Sequence, residues 1–312
     1  MNTTIGRVFS VWVGLCAGVV LMGCGGGSTA TLAAVPLPAT QPVPAPEADD
    51  CFTDTKAGRQ SLECEGLELE LSVPAACLAT ACGLIVDVHG FGMTGVLEDM
   101  HTELGEIAGA QGFIVLQPSA PVSDSGFPSW SGSNDVQVLA LINRLKSVFH
   151  VMDARVHMTG YSQGGFMTWR FLCDRPELFG SVAPLAAGSG TCFGGQQPAE
   201  QVDVFYGHGT TDGLVAFAGA TTTVERILDR WDMSESAIVS QDDEHLWTRY
   251  GNDADTVFEF VRFDWETDFV LPPSPLLGHC FPGSGDFLGC GSDTAFHWGE
   301  EVTRFFLRHP RD

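Results

Sequence analysis

One short segment, Gly-Tyr-Ser-Gln-Gly-Gly at residues 160–165, constrains the fold of this chain more than any other feature. The alternating apolar residues 155–159 before it predict a strand, and residues 166–172 after it predict the opening turns of a helix. A Gly-x-Ser-x-Gly segment in that setting forms a strained turn, and only small neighbours let the strand and helix pack so closely. The turn lifts the serine hydroxyl off the sheet, so the segment predicts Ser162 as a nucleophile.

The rest of the chain alternates between strand and helix patterns. Apolar alternation predicts further strands at 67–73, 84–88, 112–118, 182–187, 202–207 and 257–263. Helical spacing predicts helices at 96–110, 135–149, 163–173, 219–232 and 294–308. Strands that alternate with helices indicate an α/β fold with a mostly parallel central sheet and helices on both faces. In such sheets, functional sites lie in the loops at the carboxyl ends of the strands.

Three chemically matched side chains follow predicted strands. Ser162 follows the strand at 155–159, Asp212 follows the strand at 202–207, and His279 lies in the loop after the last strand. A serine hydroxyl is a weak nucleophile and needs a base, which His279 would supply while Asp212 orients its imidazole. The chain order of serine, acid and histidine is that of the α/β-hydrolase fold.

The sequence leaves alternatives for two of these roles. Asp212 lies in Thr-Thr-Asp-Gly, which also suits a simple turn. His279 is favoured as the base because its loop is punctuated by glycine and proline. The competing residues are Asp203, Asp242 and Asp243 for the acid, and His297 and His245 for the base.

Other residues are predicted to support the reaction. The backbone N–H groups of Gln163 and Phe91 are the candidate oxyanion-hole donors, and His89 is expected to brace the Phe91 loop. Trp130 either lines the substrate cleft or covers core. Asp135 either caps the helix that it begins or anchors the region of the nucleophile, and capping is favoured.

The first fifty residues differ in composition from the rest. Residues 1–23 carry one arginine and an apolar run, which predicts a signal peptide, because the run is short for a membrane-spanning helix. The segment ends Leu-Met-Gly-Cys, which resembles a bacterial lipobox and predicts lipidation of Cys24. Residues 24–50, rich in glycine, proline and alanine, predict a tether, and 51–312 the catalytic domain. We therefore expect an exported protein, either lipid-anchored to a bacterial membrane and facing the periplasm or exterior, or secreted. An ordinary signal peptide cut elsewhere, or an N-terminal membrane anchor, is the alternative.

The cysteine pattern also indicates an oxidising compartment. Of the ten cysteines, all but Cys16 and Cys24 lie beyond the leader, which predicts four disulfides. The simplest sequence-local pairing is Cys51–Cys64, Cys77–Cys82, Cys173–Cys192 and Cys280–Cys290. No Cys-x-x-Cys or Cys/His ligand spacing is present, so neither a metal nor another cofactor is predicted.

The charge of the chain excludes one class of partner. The formal net charge is −24, and so acidic a surface argues against nucleic-acid binding. It also disfavours anionic polymers as substrates, because like charges repel.

Several motifs together resemble a known family. They are Val-Asp-Val-His-Gly at 86–90, Asn-Asp-Val at 134–136, the segment 156–165, His-Gly-Thr-Thr-Asp at 208–212 and Gly-His-Cys-Phe-Pro-Gly at 278–283. Residues 84–308 are similar to secreted polyhydroxybutyrate depolymerases and feruloyl esterases of the α/β-hydrolases. The resemblance implies a catalytic triad of Ser162, Asp212 and His279. Two residues depart from the family pattern: the bulky Phe91 after His-Gly, and Gln163 after the nucleophile. After the last predicted helix we expect no substrate-binding module of the kind found in that family.

These observations predict a serine ester hydrolase that acts through an acyl-enzyme. The resemblance implies a carboxylesterase, feruloyl esterase or hydroxyalkanoate depolymerase, with a small or polymeric ester as substrate. A catalytically silent binding protein on the same fold, or a serine peptidase, is the alternative.

Overall fold

The computed structural model describes residues 42–188, 200–271 and 274–311. The predicted signal peptide (1–23), the lipidation site Cys24 and the tether as far as residue 41 lie outside these ranges. Cys192 also lies outside them.

Ten strands of the described chain form one sheet, in the order β1-β2-β4-β3-β5-β6-β7-β10-β9-β8. Their bounds are β1 (Gly58–Cys64), β2 (Leu67–Val73), β3 (Gly83–Val88), β4 (Phe113–Pro118), β5 (Val156–Tyr161), β6 (Ser181–Leu185), β7 (Asp203–Gly209), β8 (Glu235–Gln241), β9 (His245–Gly251) and β10 (Val257–Phe263). Two further strands, β11 (Thr267–Leu271) and β12 (Ser274–Leu277), pair separately.

The six central strands, from β4 to β10 in the sheet order, are parallel. The strands at both edges pair antiparallel, because short connections such as that between β8 and β9 can only reverse the chain. Parallel neighbours need a crossover, and most of these crossovers contain a helix. The parallel centre brings the carboxyl ends of β3, β5 and β7 to one edge of the sheet.

Helices cover both faces of the sheet. Their bounds are α1 (Gly95–Thr102), α2 (Leu104–Ile107), α3 (Asp135–Val148), α4 (Gln163–Asp174), α5 (Phe217–Arg230) and α6 (Trp298–Arg308). Because side chains alternate along a strand, Val86 of β3 packs in the core under α3, α4 and α5, whereas Ile85 packs in the core under α2 and α6. The α/β class predicted from the sequence is confirmed.

The predicted elements differ from the observed ones in three places. Strands β1, β8 and β9 are not predicted, and neither is the pair β11–β12. Exposed residues weaken the apolar pattern in β1, β8 and β11, and most residues of β9 are only half-buried. The helix predicted at 96–110 breaks at Glu103, whose φ of 52° lies in the left-handed region and interrupts the helical hydrogen bonds. The last helix begins at Trp298, not at residue 294.

The end of the predicted tether packs against the domain. The N–H of Val43 donates to Ala79 O at 3.1 Å, and that of Glu47 donates to Val148 O at 3.2 Å. Arg144 of α3 forms an ion pair of 2.9 Å with Asp49. Residues 43–50 therefore contact the domain along its surface, although their composition predicts a tether.

Three of the four predicted disulfides are present. They join Cys51 to Cys64, Cys77 to Cys82 and Cys280 to Cys290. The pairing of Cys173 with Cys192 stays a prediction, because Cys192 lies outside the described residues.

Two buried acids lie close together behind the carboxyl end of β3. Asp87 Oδ2 accepts hydrogen bonds from Thr102 Oγ1 at 2.8 Å and from Gln117 Nε2 at 2.9 Å. Asp87 and Glu98 also share a side-chain hydrogen bond, which requires a proton on one of the two carboxyl groups. Burial raises the pKa of Asp87 to about 7, and burial together with the neighbouring Asp87 raises the pKa of Glu98 well above its usual value.

We expect this pair to make the folded protein lose stability as pH rises. A buried acid with a raised pKa keeps its proton in the folded state while the unfolded chain releases it. The free energy of unfolding is therefore highest below the unfolded pKa and falls as pH rises toward the folded value. Replacing Glu98 by Gln should reduce this slope by about 1.4 kcal/mol per pH unit, measured by urea unfolding between pH 5 and 8.

The matched control is Glu106→Gln, because Glu106 is exposed in the neighbouring helix α2. Its slope should equal that of the unchanged protein. An unchanged slope in Glu98→Gln would show that Glu98 does not hold a proton in the folded state.

Candidate active site

Ser162 lies in a strained turn between β5 and α4. Its φ of 52° and ψ of −113° are unfavourable for a residue with a side chain, which is typical of a site whose surroundings enforce the conformation. A Cβ on Gly164 would lie 1.7 Å from Val88 O, so only glycine allows α4 to start this close to β3. Ser162 is thereby held at the carboxyl edge of the sheet.

His279 and Asp212 meet in the loops beside this turn. The distance between His279 Nδ1 and Asp212 Oδ2 is 2.7 Å, and both side chains are almost inaccessible to solvent. Asp212 is fixed by its Oδ1, which accepts the N–H of Leu214 at 2.9 Å and that of Val215 at 2.7 Å. Because a carboxylate can only accept hydrogen bonds, Nδ1 carries a hydrogen and donates it, and in the neutral ring the lone pair then lies on Nε2.

The loop that carries His279 starts later than predicted. The sequence places it after the strand at 257–263, whereas in the structure β11 and β12 come between. The hydroxyl of Tyr161 donates to His279 O at 2.7 Å, and the Cys280–Cys290 disulfide follows directly. The loop is therefore bound to the last residue of β5, beside Ser162.

Asp212 stays ionised although it is buried. Burial by itself raises the pKa of Asp212, but hydrogen bonds from His208 and His279 outweigh this effect and lower the pKa below its usual range. The distance from His208 Nε2 to Asp212 Oδ2 is 3.3 Å. Two imidazole rings therefore contact the same carboxylate oxygen, and the contact of His208 was not predicted from the sequence.

Ser162 and His279 both line a cavity of about 200 Å³. Its other walls are formed mainly by apolar side chains from several loops, from the strands β5, β11 and β12, and from α1. They are Phe91, Gly92, Met93, Leu97, Phe127, Tyr161, Leu214, Phe269, Leu271, Leu276, Phe287 and Leu288. None of these described lining residues is a lysine, arginine, aspartate or glutamate, so the cavity wall suits an uncharged group.

The two predicted oxyanion-hole donors lie next to this cavity. Phe91 lines it directly, and the N–H of Gln163 belongs to the first turn of α4, where N–H groups lack an intrahelical acceptor. The Gln163 side chain is directed toward residues 129–130. Its Oε1 accepts the N–H of Trp130 at 3.0 Å, and its Nε2 donates to Ser129 Oγ at 3.0 Å. This side chain holds the loop of residues 129–130 against the start of α4.

Trp130 does not line the described cavity, so its alternative role as core cover fits the structure. It is 7% exposed, and its indole N–H donates to His89 O at 3.0 Å. His89 in turn accepts the N–H of Ala120 at 2.9 Å, and burial lowers the pKa of His89 to about 4. A neutral His89 therefore braces the loop that carries Phe91, which agrees with its predicted role.

The competing acids and bases have other partners. Asp203 accepts from His309 Nδ1 at 2.8 Å, and Asp242 lies 2.8 Å from His245. His297 faces Glu103 at 3.8 Å. None of these residues is among the described residues that line the cavity of Ser162.

Asp135 does not have the capping role that the sequence favours. It is the first residue of α3 but makes no capping hydrogen bond. Its carboxylate instead accepts two hydrogen bonds from Arg170, at 2.8 Å and 2.7 Å, so that α3 is fixed to α4. The observed contact therefore fits the anchoring alternative and not the favoured capping role, because the carboxylate is engaged in a bidentate, charge-assisted pair.

His208 and the apolar residues on β11 and in the loops near Phe127 and Phe287 were not predicted as part of the site. His208 belongs to the His-Gly-Thr-Thr-Asp segment, but no spacing rule indicates that it reaches Asp212. The exposed side chains of Phe127, Phe269 and Phe287 have no sequence signal, because a single apolar residue in a loop is ordinary.

The described residues offer one group of potential metal ligands. Cys51, Cys64 and Glu65 lie together, but the two cysteines are joined in a disulfide and cannot supply thiolate ligands.

Among the described residues, no helix has the length and apolar character needed to cross a membrane. No protein-family model matches the sequence.

Sequence comparison finds esterases among the relatives. The chain is 26% identical over 155 residues to the bifunctional acetylxylan esterase/xylanase XynS20E of Neocallimastix patriciarum, covering 49% of this chain and 22% of that protein. It is 29% identical over 130 residues to feruloyl esterase B of Neurospora crassa, covering 39% of this chain and 44% of that protein. The chain thus spans less than half the length of these curated relatives.

Structural comparison agrees on the fold. An acetyl xylan esterase from Aspergillus awamori matches with a TM-score of 0.54 and 16% identity, covering 66% of this chain and 93% of that one. The chain therefore has the α/β-hydrolase fold, and in sequence it is similar to parts of feruloyl and acetylxylan esterases.

Proposed function

We propose that this protein is a carboxylic ester hydrolase that acts through Ser162, His279 and Asp212. The observation that carries the proposal is the 2.7 Å contact between His279 Nδ1 and Asp212 Oδ2. His279 also lines the same cavity as Ser162. The sequence similarity to feruloyl and acetylxylan esterases supports the same reaction class.

The geometry suits a two-step reaction. His279 Nε2 takes the proton of the Ser162 hydroxyl as the oxygen attacks the ester carbonyl. The N–H groups of Phe91 and Gln163 stabilise the negative oxygen of the tetrahedral intermediate. His279 then protonates the leaving alcohol, and an acyl group remains on Ser162. A water molecule, activated by the same histidine, hydrolyses this acyl-enzyme.

The cavity supports an uncharged, apolar acyl group as the part of the substrate that it binds. Its wall carries phenylalanine, leucine and methionine side chains beside Ser162. Lysine and arginine are absent from residues 60–143, 176–225 and 263–303, which include every residue of its wall except Tyr161 and Ser162. An anionic acyl group would therefore lose hydration without gaining a cationic partner. Butyryl, hydroxybutyryl and feruloyl groups are uncharged acyl groups of this kind.

The N-terminal prediction extends the proposal to location. We infer that Cys24 carries a lipid and that residues 25–42 tether the domain to a bacterial membrane, so that it meets ester substrates outside the cytoplasm. The lipobox-like sequence Leu-Met-Gly-Cys supports the anchor, and the disulfides support an oxidising compartment.

Replacing Ser162 by Ala tests the nucleophile. We expect kcat/KM for p-nitrophenyl butyrate to fall by at least about 10³-fold, because the acyl-enzyme cannot form. Labelling by a fluorophosphonate probe should also be lost. The control Ser236→Ala changes an exposed residue of β8 and should retain both.

Full activity of Ser162→Ala would refute the proposed mechanism. If the unchanged protein neither labels nor hydrolyses esters, it is a binding protein on this fold. Hydrolysis of peptide amides without ester hydrolysis would make it a peptidase.

A charged acyl group tests the substrate proposal. We expect p-nitrophenyl butyrate to be hydrolysed at least about tenfold faster, in kcat/KM, than the mono-p-nitrophenyl ester of succinate, which has a similar length but a negative charge. Leu271→Lys places a cation at the cavity and should reduce this preference, whereas Ile238→Lys, on exposed β8, should not. Equal rates on the two esters would contradict the proposed selectivity.

Replacing Cys24 by Ala tests the anchor. In a bacterial host with lipoprotein processing, we expect the unchanged protein to incorporate radiolabelled palmitate and to sediment with membranes. Cys24→Ala should lose both properties, while Cys16→Ala should keep them. Membrane sedimentation without palmitate in the unchanged protein would exclude the lipid and favour an uncleaved anchor.

A further inference from the structure

His208 is a buried histidine that contacts Asp212 Oδ2, the same carboxylate oxygen that pairs with the proposed catalytic base. It lies on β7, four residues before Asp212, and is inaccessible to solvent. Its Nε2 is 2.8 Å from Val215 O and 3.3 Å from Asp212 Oδ2. A carbonyl and an ionised carboxylate can only accept hydrogen bonds, so Nε2 carries a hydrogen.

The other ring nitrogen, Nδ1, faces the hydroxyl oxygen of Tyr206, whose hydrogen is already donated to another acceptor. His208 Nδ1 lies 3.1 Å from the hydroxyl oxygen of Tyr206, and that hydroxyl donates to Ala187 O at 2.6 Å. A tyrosine hydroxyl has one hydrogen. If it pointed to His208, the two oxygens would face each other at 2.6 Å with no hydrogen between them. The shorter contact therefore takes the hydrogen, and Nδ1 must donate to the hydroxyl oxygen.

We propose that His208 is a doubly protonated, positively charged imidazolium that shares Asp212 with His279 and so tunes the catalytic base. The effect of His208 on the rate of ester hydrolysis rests on the proposed function. The protonation of His208 does not, because it is inferred from the hydrogen-bond pattern alone. His208 touches no reacting atom in this scheme, so it is a positioning residue.

The surroundings of His208 allow such a charge. Asp212 is its counter-ion, and the Tyr206 hydroxyl remains neutral because burial raises the pKa of Tyr206 well above its usual value. Phe217 of α5 packs near the ring, at 6.0 Å between centroids. Arg262, the neighbour of His208 in register on β10, is exposed to solvent. Among the described residues, His279 is the second imidazole that contacts Asp212.

A charged His208 changes what Asp212 offers to the base. A carboxylate alone favours the protonated form of a neighbouring histidine. When the carboxylate is already paired with one imidazolium, a second positive charge gains less attraction and meets repulsion from the first. His279 therefore stays a free base, able to accept the serine proton, in more acidic solution than it would beside Asp212 alone.

Two neutralising variants test this inference. His208→Gln keeps an N–H donor for Asp212 but has no charge. Tyr206→Phe removes the oxygen that Nδ1 donates to, so that His208 can become neutral. In both, we expect the acidic limb of the kcat/KM profile for p-nitrophenyl butyrate to move up by about one pH unit. Activity at pH 5 should then fall about tenfold while the plateau above pH 8 is retained.

A direct measurement separates this inference from the proposed function. The ¹H–¹⁵N spectrum of histidine-labelled Ser162→Ala protein reports the protonation of His208 without any turnover. We expect hydrogens on both ring nitrogens of His208 at pH 7, and on one nitrogen in the Ser162→Ala/Tyr206→Phe protein. The control Tyr250→Phe, on β9, should change neither the spectrum nor the pH profile.

One hydrogen on the His208 ring at pH 7 would overturn the proposal, whatever the enzyme hydrolyses. Unmoved acidic limbs in both folded variants would also overturn its effect on the base. If His208→Gln does not fold, the spectrum and Tyr206→Phe still decide. Loss of all ester hydrolysis in the unchanged protein would refute the proposed function but leave the spectrum as a valid test.

Discussion

The candidate site depends on one close backbone contact, between the start of α4 and the end of β3. Gly164 approaches Val88 O so closely that no side chain fits between them. This contact allows the chain to leave β5, reverse through Ser162 and enter the helix within one residue. The strained φ of Ser162 is maintained by packing on both sides and by the hydrogen bond from its N–H to Leu185 O at 2.9 Å.

The partners of Ser162 are positioned by a different kind of interaction. Their loops have little regular structure, and polar contacts hold them in place. Tyr161 binds the backbone of His279, and two N–H groups bind the carboxylate of Asp212. The Cys280–Cys290 disulfide closes the loop that follows the histidine. Rigid packing thus fixes the nucleophile, whereas hydrogen bonds and a covalent link fix the base and the acid.

The sequence predicted the elements whose residues repeat a strong pattern. The buried central strands and the long helices α3 and α5 fall within a few residues of their predicted bounds, because burial on one or both faces leaves a clear apolar signal. The edge strands β1 and β8 escaped prediction, since their exposed side chains obey no such rule. The contact of Asp135 with Arg170 and that of His208 with Asp212 depend on how loops and helices meet in space. No local pattern encodes such meetings.

The seating of residues 43–50 on the domain has a consequence for the reach of the enzyme. Because Val43 and Glu47 are hydrogen-bonded to the domain, only the residues before 43 can separate the domain from a lipid on Cys24. A chain from residue 25 to residue 42 spans no more than about 60 Å when fully extended. A lipid at Cys24 would therefore confine hydrolysis to a thin shell beside the bilayer, where esters must diffuse to the enzyme.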